Sequence, residues 1–231
     1  IADTLIQAGC NICMHYFSSE DEPNRHRKHA EANQQKAVCV QGDLTKEADV
    51  VRCIKEGVDT LGSFDILINN SGSLVSRSTI EDITSEYWKT LIDINLTSMM
   101  LITKEILPYL NRQEGASIVN VASLAGRMGG HAGSLVYSTC KGAVLTWTRS
   151  LAKEVGARGI RVNAVAPGFI GGTRFHETHT TKESAMKTFQ LLENIEFHDK
   201  NPYAQPLQVD EDGRVLRFAL KPGQVVREHS A

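Results

Sequence analysis

Residues 116–123 read Ala116-Ser117-Ile118-Val119-Asn120-Val121-Ala122-Ser123, a short, mostly apolar run rich in β-branched side chains that ends on a hydroxyl. A run of this kind, bounded by turn signals, predicts a strand buried on both faces of a parallel sheet. It would carry Ser123 to the carboxyl end of that strand, which is where open α/β sheets bind ligands. Four further runs have the same character, at residues 11–17, 37–41, 65–69 and 160–166, each followed by Ser, Gly, Asp or Pro. Segments of helical period separate them. Residues 1–9 form one such segment closed by Gly9, residues 85–110 one or two more, and residues 137–157 a long one before Gly159. This alternation predicts βαβ units wound around a parallel sheet, an α/β fold.

The composition agrees with one sizeable core. With 231 residues, 41% hydrophobic and 23% charged, the chain is expected to form one main domain. Lys and Arg number 25 against 27 Asp and Glu, a net charge of -2, so nucleic acid is not expected as a partner. No apolar run approaches the roughly 18 residues a membrane helix needs, and no charged region followed by an apolar core opens the chain. A cytoplasmic protein with no membrane partner is the expectation. Five cysteines form an odd set and read as reduced; Cys10 and Cys13 make a C-x-x-C, but without the matching pair or helix start of a zinc or redox site. From about residue 189 the α/β rhythm stops, and Asn201-Pro202, Gln205-Pro206 and Pro222-Gly223 punctuate short β-like runs such as 215–220. The expected organisation is residues 1–188 as one domain and 189–231 as an atypical C-terminal segment.

Tyr137-Ser138-Thr139-Cys140-Lys141 opens the long helix, and a separation of four puts phenol and ammonium on one helix face. A positive charge beside a phenol favours the phenolate, so this pair is expected to lower the tyrosine pKa and give a proton donor and acceptor usable near neutrality. Taken alone, the same spacing also suits a tyrosine and a lysine on a solvated helix. Ser123 could hydrogen-bond a carbonyl oxygen or merely cap a turn. Asn69-Asn70-Ser71-Gly72 could tie neighbouring strands, face a ligand, or form an ordinary Asn/Gly turn.

Taken in order, Asn69-Asn70-Ser71-Gly72, Asn95, Ser123, Tyr137, Lys141 and Asn163-Ala164-Val165-Ala166-Pro167-Gly168 make a set far more specific than any member. The set resembles the short-chain dehydrogenase/reductase family, and within it the 3-oxoacyl-carrier-protein reductases and sugar or polyol dehydrogenases, over about residues 1–188. The resemblance implies a doubly wound, Rossmann-type parallel sheet and an NAD(P)-dependent enzyme interconverting a small ketone and a secondary alcohol. It implies Tyr137 as acid/base, Lys141 as the charge that tunes it and holds the nicotinamide ribose, Ser123 as the group polarising the substrate oxygen, and Asn95 as holder of a relay water. For cofactor binding it implies Asp43 and Leu44 near the adenine, Asn70, Ser71 and Gly72 along the adenosine ribose, and Pro167, Gly168, Ile170 and Thr173 near the carboxamide. No metal site is implied. Homo-oligomers, dimers or tetramers, are common in the family, and the apolar stretches 99–102 and 143–151 are expected to supply the interface.

There are also departures from the family pattern. The family's first strand and glycine-rich turn are expected immediately before Ile1; without that strand, backbone on both its neighbours would be unpaired. Ser71 stands where alanine is usual, one residue is added between Ser123 and Tyr137, and Gly171-Gly172 delay Thr173. The usual C-terminal part is not recognisable; residues 191–231 resemble the opening of a cupin domain, with His229 where a metal-binding histidine would fall. His176 and His179 lie in the variable loop that would set the substrate. At the end of the second family strand, Tyr16-Phe17-Ser18-Ser19 offers no carboxylate for a ribose, and Arg25-His26-Arg27-Lys28-His29 follows; that run suits the solvated face of a short helix, and its alternative, functional reading tilts the expectation from NAD toward NADP. The rival expectation is a catalytically silent fragment or assembly module with an incomplete cofactor site.

Overall fold

The computed structural model describes residues 1–111 and 115–170, together with the backbone of two strands at 203–210 and 213–219. Two compact units divide the chain at Gly168, Ile1–Gly168 and Phe169–Ala231. The expected boundary at 188–195 lies outside the described residues, as do Thr173, His176, His179 and His229.

In the first unit the five expected strands form with near-coincident limits: β1 Ile12–Tyr16, β2 Ala37–Gln41, β3 Ile66–Asn69, β4 Ala116–Val121 and β5 Ile160–Val165. Helices connect them: α1 Ala2–Gln7, α2 Asp21–Ala32, α3 Glu47–Leu61, α4 Ser85–Ile92, α5 Ser98–Ile106, α6 Ala125–Met128 and α7 Leu135–Val155. The strands lie in two parallel ladders, β1-β2 and β3-β4-β5. Among the described residues these two parallel ladders, with helices between their strands, are parts of a doubly wound sheet. Apolar side chains of both β3–β5 and the helices make the largest core, in which Ile118, Ala116, Val155 and Ile160 are buried around Phe64, Leu67 and Ile106. β4 is the central strand of its ladder and is buried at four of its six positions, as its unbroken apolar run requires.

The region read as one or two helices is two, joined by a π-helical turn at Asp93–Thr97 with Asn95 in its middle. In the stretches expected to supply an interface, 99–102 and 143–151, Met99, Leu101, Val144 and Leu151 are buried inside the unit, while Met100, Ile102, Leu145 and Trp147 are half-buried. The basic run on α2 is tied to α1. Asp3 Oδ1 on α1 lies 2.8 Å from Nδ1 of both His26 and His29, and Arg25 bridges Asp3 and Glu22. Hydrogen bonds from His29 and His26 hold the Asp3 carboxyl far below the usual carboxylate range. These three basic side chains fasten α1 to α2, His26 and His29 partly buried and Arg25 still exposed on the helix face. Cys13 of the C-x-x-C is a free thiol, and burial pushes its pKa up to about 12, the opposite of a reactive cysteine.

The second unit contains β6 Tyr203–Asp210 and β7 Gly213–Ala219, an antiparallel pair with a register irregularity between Pro206 and Gln208. Proline lacks the N–H a regular ladder requires, which accounts for a break there. Among the described residues no helix is long and apolar enough to cross a membrane, and no group of three His, Cys, Asp or Glu could hold a metal ion.

Candidate active site

Strand β4 ends at Val121, and Ala122 N donates to Val165 O, so pairing with β5 persists up to Ser123. Leu124 N then donates to Pro167 O, which keeps the Pro167-Gly168 segment beside the turn that carries the serine. Ser123 Oγ accepts from Ala125 N at 3.2 Å, so the capping reading of this residue holds. Its hydroxyl also hydrogen-bonds Tyr137 and thereby favours the phenolate. One side chain thus serves the turn and the phenol together.

Tyr137 and Lys141 stand one turn apart on α7. Both are buried, at 9% and 4% exposure, which excludes the solvated-surface reading of the pair. Lys141 Nζ lies 5.7 Å from the Tyr137 ring centroid and donates to Val121 O at 2.9 Å. The expected lowering of the tyrosine pKa by the ammonium is not found. Burial of the phenol raises it, against the opposing hydrogen bond from Ser123. The lysine shifts more, because burial disfavours its charge and brings it down to about 8. The ammonium is turned toward the carbonyl that ends β4, not toward the phenol alone.

Gly72, just beyond β3, approaches the same lysine. A Cβ there would stand 2.8 Å from Asn95 Oδ1 and 3.0 Å from Lys141 Nζ, a space closed to any side chain. Asn95, 1% exposed, uses its amide on backbone: Nδ2 donates to Leu91 O and Ser73 O, and Oδ1 accepts from Ser73 N. The π turn displaces this residue from the regular helical ladder and aims it at the loop after β3. Ser123, Tyr137, Lys141, Asn95 and Gly72 are therefore gathered at the carboxyl ends of β3 and β4.

The other expected cofactor residues are not all at this cluster. Asn70 and Ser71 are exposed beside Gly72, whereas Asp43 and Leu44 follow β2 on the other ladder. Hydrogen bonds from Thr45, with a weaker pairing to Lys46, keep the Asp43 carboxyl below its usual range. Leu44 is buried, and Ile170 is exposed at the start of the second unit.

Asn69 ties neighbouring strands, one of the uses expected of it, whereas Asn120, Gly126 and Val75 were not singled out by reading the sequence. A buried polar relay ties the sheet to two helices: Asn69 Nδ2 donates to Asn120 Oδ1 at 2.8 Å and to Thr103 Oγ1, and Asn120 Nδ2 donates to Thr148 Oγ1. Asn120 inside an otherwise apolar buried strand was the available signal. Gly126 of α6 meets α7 so closely that a Cβ would lie 2.5 Å from the Lys141 carbonyl carbon. Val75, a β-branched residue, adopts φ +61° in a tight turn closed by Ser76 N donating to Leu74 O. Such conformations are strained and gather at functional sites.

A hydroxyl, a phenol and a buried amine at the carboxyl edge of a doubly wound parallel sheet define a class of oxidoreductase fold and site. The chain belongs to the short chain dehydrogenase family, whose model matches residues 1–184. It is 35% identical over 170 residues to a 3-oxoacyl-[acyl-carrier-protein] reductase of Synechocystis sp., covering 72% of this chain and 66% of that one. A 3-oxoacyl-[acyl-carrier-protein] reductase of Staphylococcus epidermidis is 33% identical over 170 residues, with 74% and 69% covered. The chain thus spans about two thirds of the length of these relatives. Among solved structures, an NADH-dependent reductase complexed with NAD matches with a TM-score of 0.69 at 27% identity, covering 74% of this chain and 73% of that one.

Proposed function

We propose that this chain is an NAD(P)-dependent oxidoreductase that interconverts a ketone and a secondary alcohol of the 3-oxoacyl, sugar or polyol type. The observation that carries this reading is the buried Ser123–Tyr137–Lys141 cluster, with its phenol held by one hydroxyl and its ammonium by one backbone carbonyl. The residues fit a nicotinamide nucleotide. Lys141 has three N–H donors and gives one to Val121 O, which leaves donors for ribose hydroxyls. Gly72 keeps the adjoining wall free of a side chain. A nicotinamide bound there supplies or accepts the hydride.

Each residue then has a distinct task. Ser123 donates to the substrate oxygen and polarises it, while Tyr137 gives a proton to that oxygen in reduction and removes it in oxidation. Lys141 supplies positive charge to the developing phenolate, and Asn95 lines the path by which a proton leaves toward solvent. Burial raises the Tyr137 pKa and so favours the protonated phenol, the form that carbonyl reduction uses. Oxidation of the alcohol needs the phenolate and should gain rate as pH rises.

NADP(H) is the proposed cofactor in preference to NAD(H). β1 runs out into Phe17-Ser18-Ser19 without a carboxylate, and the nearest, Glu20, accepts the Tyr16 hydroxyl. Fluorescence titration with NADPH and NADH tests both levels of the proposal. Tighter binding of NADPH is expected; tighter NADH binding overturns the preference, and binding of neither favours the silent module. Assembly into a homodimer or tetramer belongs to the same proposal, with exposed Trp88 on α4 and Tyr109 just beyond α5 as apolar surface. Light scattering is expected to give a mass at least twice the 25.4 kDa of one chain, and a folded monomer at micromolar concentration would refute it.

A further inference from the structure

Two loops meet beside the first turn of α7. The first, 73–79, follows β3 and Gly72 and is firmly held. Asn95 donates to Ser73 O and accepts from Ser73 N, and the Tyr87 hydroxyl donates to Ser76 O at 2.7 Å. Leu74 is buried, and Val75 takes its strained φ of +61° in the same loop. The second, 129–134, joins α6 to α7 and delivers the chain to Tyr137, the third residue of that helix.

The second loop has few side chains with which to fix itself. Gly129, Gly130 and Gly133 all adopt positive φ, and glycine loses more conformational freedom on ordering than any other residue. Two hydrogen bonds reach this loop from the first. Ser78 N donates to Gly133 O at 3.0 Å, and Arg77 Nη1 donates to Ala132 O at 3.0 Å. Gly133 permits the approach, since a Cβ there would stand 2.9 Å from Arg77 Cβ. At the end of the loop, Ser134 Oγ donates to His131 O, and Ser134 O accepts from Ser138 N. The last residue of the loop is therefore already an acceptor of α7.

We propose that Arg77 is a positioning residue of this active site: its guanidinium, with the Ser78 N–H, holds loop 129–134 and so sets how the first turn of α7 presents Tyr137 to Ser123. The inference rests on the function proposed above. One turn further on, α7 is pinned where Lys141 donates to Val121 O and Gly126 packs against the Lys141 carbonyl. A helix fixed there can still fray at its start, and Tyr137 lies between that anchor and the loop. Arg77 suits the task, because a bond from a guanidinium is charge-assisted and stronger than the neutral one beside it. The side chain is exposed, so its loss should change stability little. Misplacing a reacting group by about 1 Å, in contrast, can cost about a hundredfold in rate. Arg77 therefore matters more to turnover than to folding.

The test is Arg77→Ala in the 231-residue chain. The amides of Ser134 and Ser138 are expected to exchange about tenfold faster than in the parent, as the loop and the first turn of α7 open more often. Carbonyl reduction should lose about ten- to a hundredfold in kcat at unchanged NADPH affinity. The pH at which alcohol oxidation gains rate should rise, because a displaced phenol loses the Ser123 hydrogen bond that favours its phenolate. Arg77→Lys keeps a cationic donor and should recover part of the rate and of the pH profile. Gly133→Ala, which forces a Cβ against Arg77, should reproduce the alanine pattern. Unchanged exchange overturns the role of Arg77, as does a lowered Tm with kcat per folded molecule and pH profile unmoved. If the parent chain reduces no carbonyl with either nucleotide, the proposed function falls and this role with it; a parent that turns over beside an unaltered variant removes the role alone.

Discussion

Tyr137→Phe is expected to abolish most turnover while leaving the fold and cofactor binding in place. The substitution removes one hydroxyl from a ring that stays buried on α7, so packing is preserved and Ser123 retains its contact with Ala125 N. What is lost is the proton that must reach the substrate oxygen, a contribution of about a hundred- to ten-thousand-fold in rate. Steady-state kinetics beside a nucleotide titration would show kcat collapsing at nearly constant cofactor affinity. Near-normal carbonyl reduction by the variant, with an unchanged pH profile, would remove Tyr137 from the mechanism. An ordinary buried tyrosine would behave differently, changing stability and leaving the rate of the remaining folded enzyme intact.

Lys141→Met is expected to separate function from stability in the other direction. Its pKa in the fold is about 8, below the ordinary 10.5, so the folded state disfavours the ammonium. That destabilisation is fully present below about pH 8 and disappears as pH rises from 8 toward 10.5. The difference of about 2.5 units corresponds to about 3 kcal/mol at neutral pH, partly offset in the variant because Val121 O loses its donor, at about 1–3 kcal/mol. Thermal unfolding at neutral pH should therefore give a Tm equal to or above that of the parent. Activity should fall, because the phenolate loses its nearest cation and the nicotinamide ribose loses its donor, and the optimum for alcohol oxidation should move to higher pH. A strongly lowered Tm with retained turnover would show that Lys141 is a structural residue. An increase in stability at the expense of activity is what a buried charge kept for catalysis predicts.

How much of this was legible in advance differs from residue to residue. Ser123 was read correctly as a strand-end hydroxyl because the run before it is apolar and β-branched, a pattern that depends only on neighbours in the chain. Tyr137 and Lys141 shared a helix face for the same reason, since a spacing of four is a local property. Their burial was not legible, because it requires α6 to meet α7 at Gly126 and β4 to end beneath them. The direction of the tyrosine shift was misjudged for that cause: with the ammonium engaged by Val121 O, desolvation outweighs attraction. Arg25, His26 and His29 looked like free cations until Asp3, more than twenty residues away, was seen to hold all three.

Local pattern alone dictates the five strands of the first unit, the helices between them, the glycine at the end of α1 and the ordered set from Asn69 to Gly168. Hydrophobic period and turn chemistry act over a few residues and leave their mark directly in the order of side chains. Tertiary arrangement decides the rest: a lysine desolvated to about 8, a π turn that aims Asn95 at the loop after β3, and an amide relay spanning β3, β4, α5 and α7. Each of these depends on groups far apart in the chain meeting in a medium that excludes water, where charge, hydrogen bonding and packing take values that no single stretch can carry.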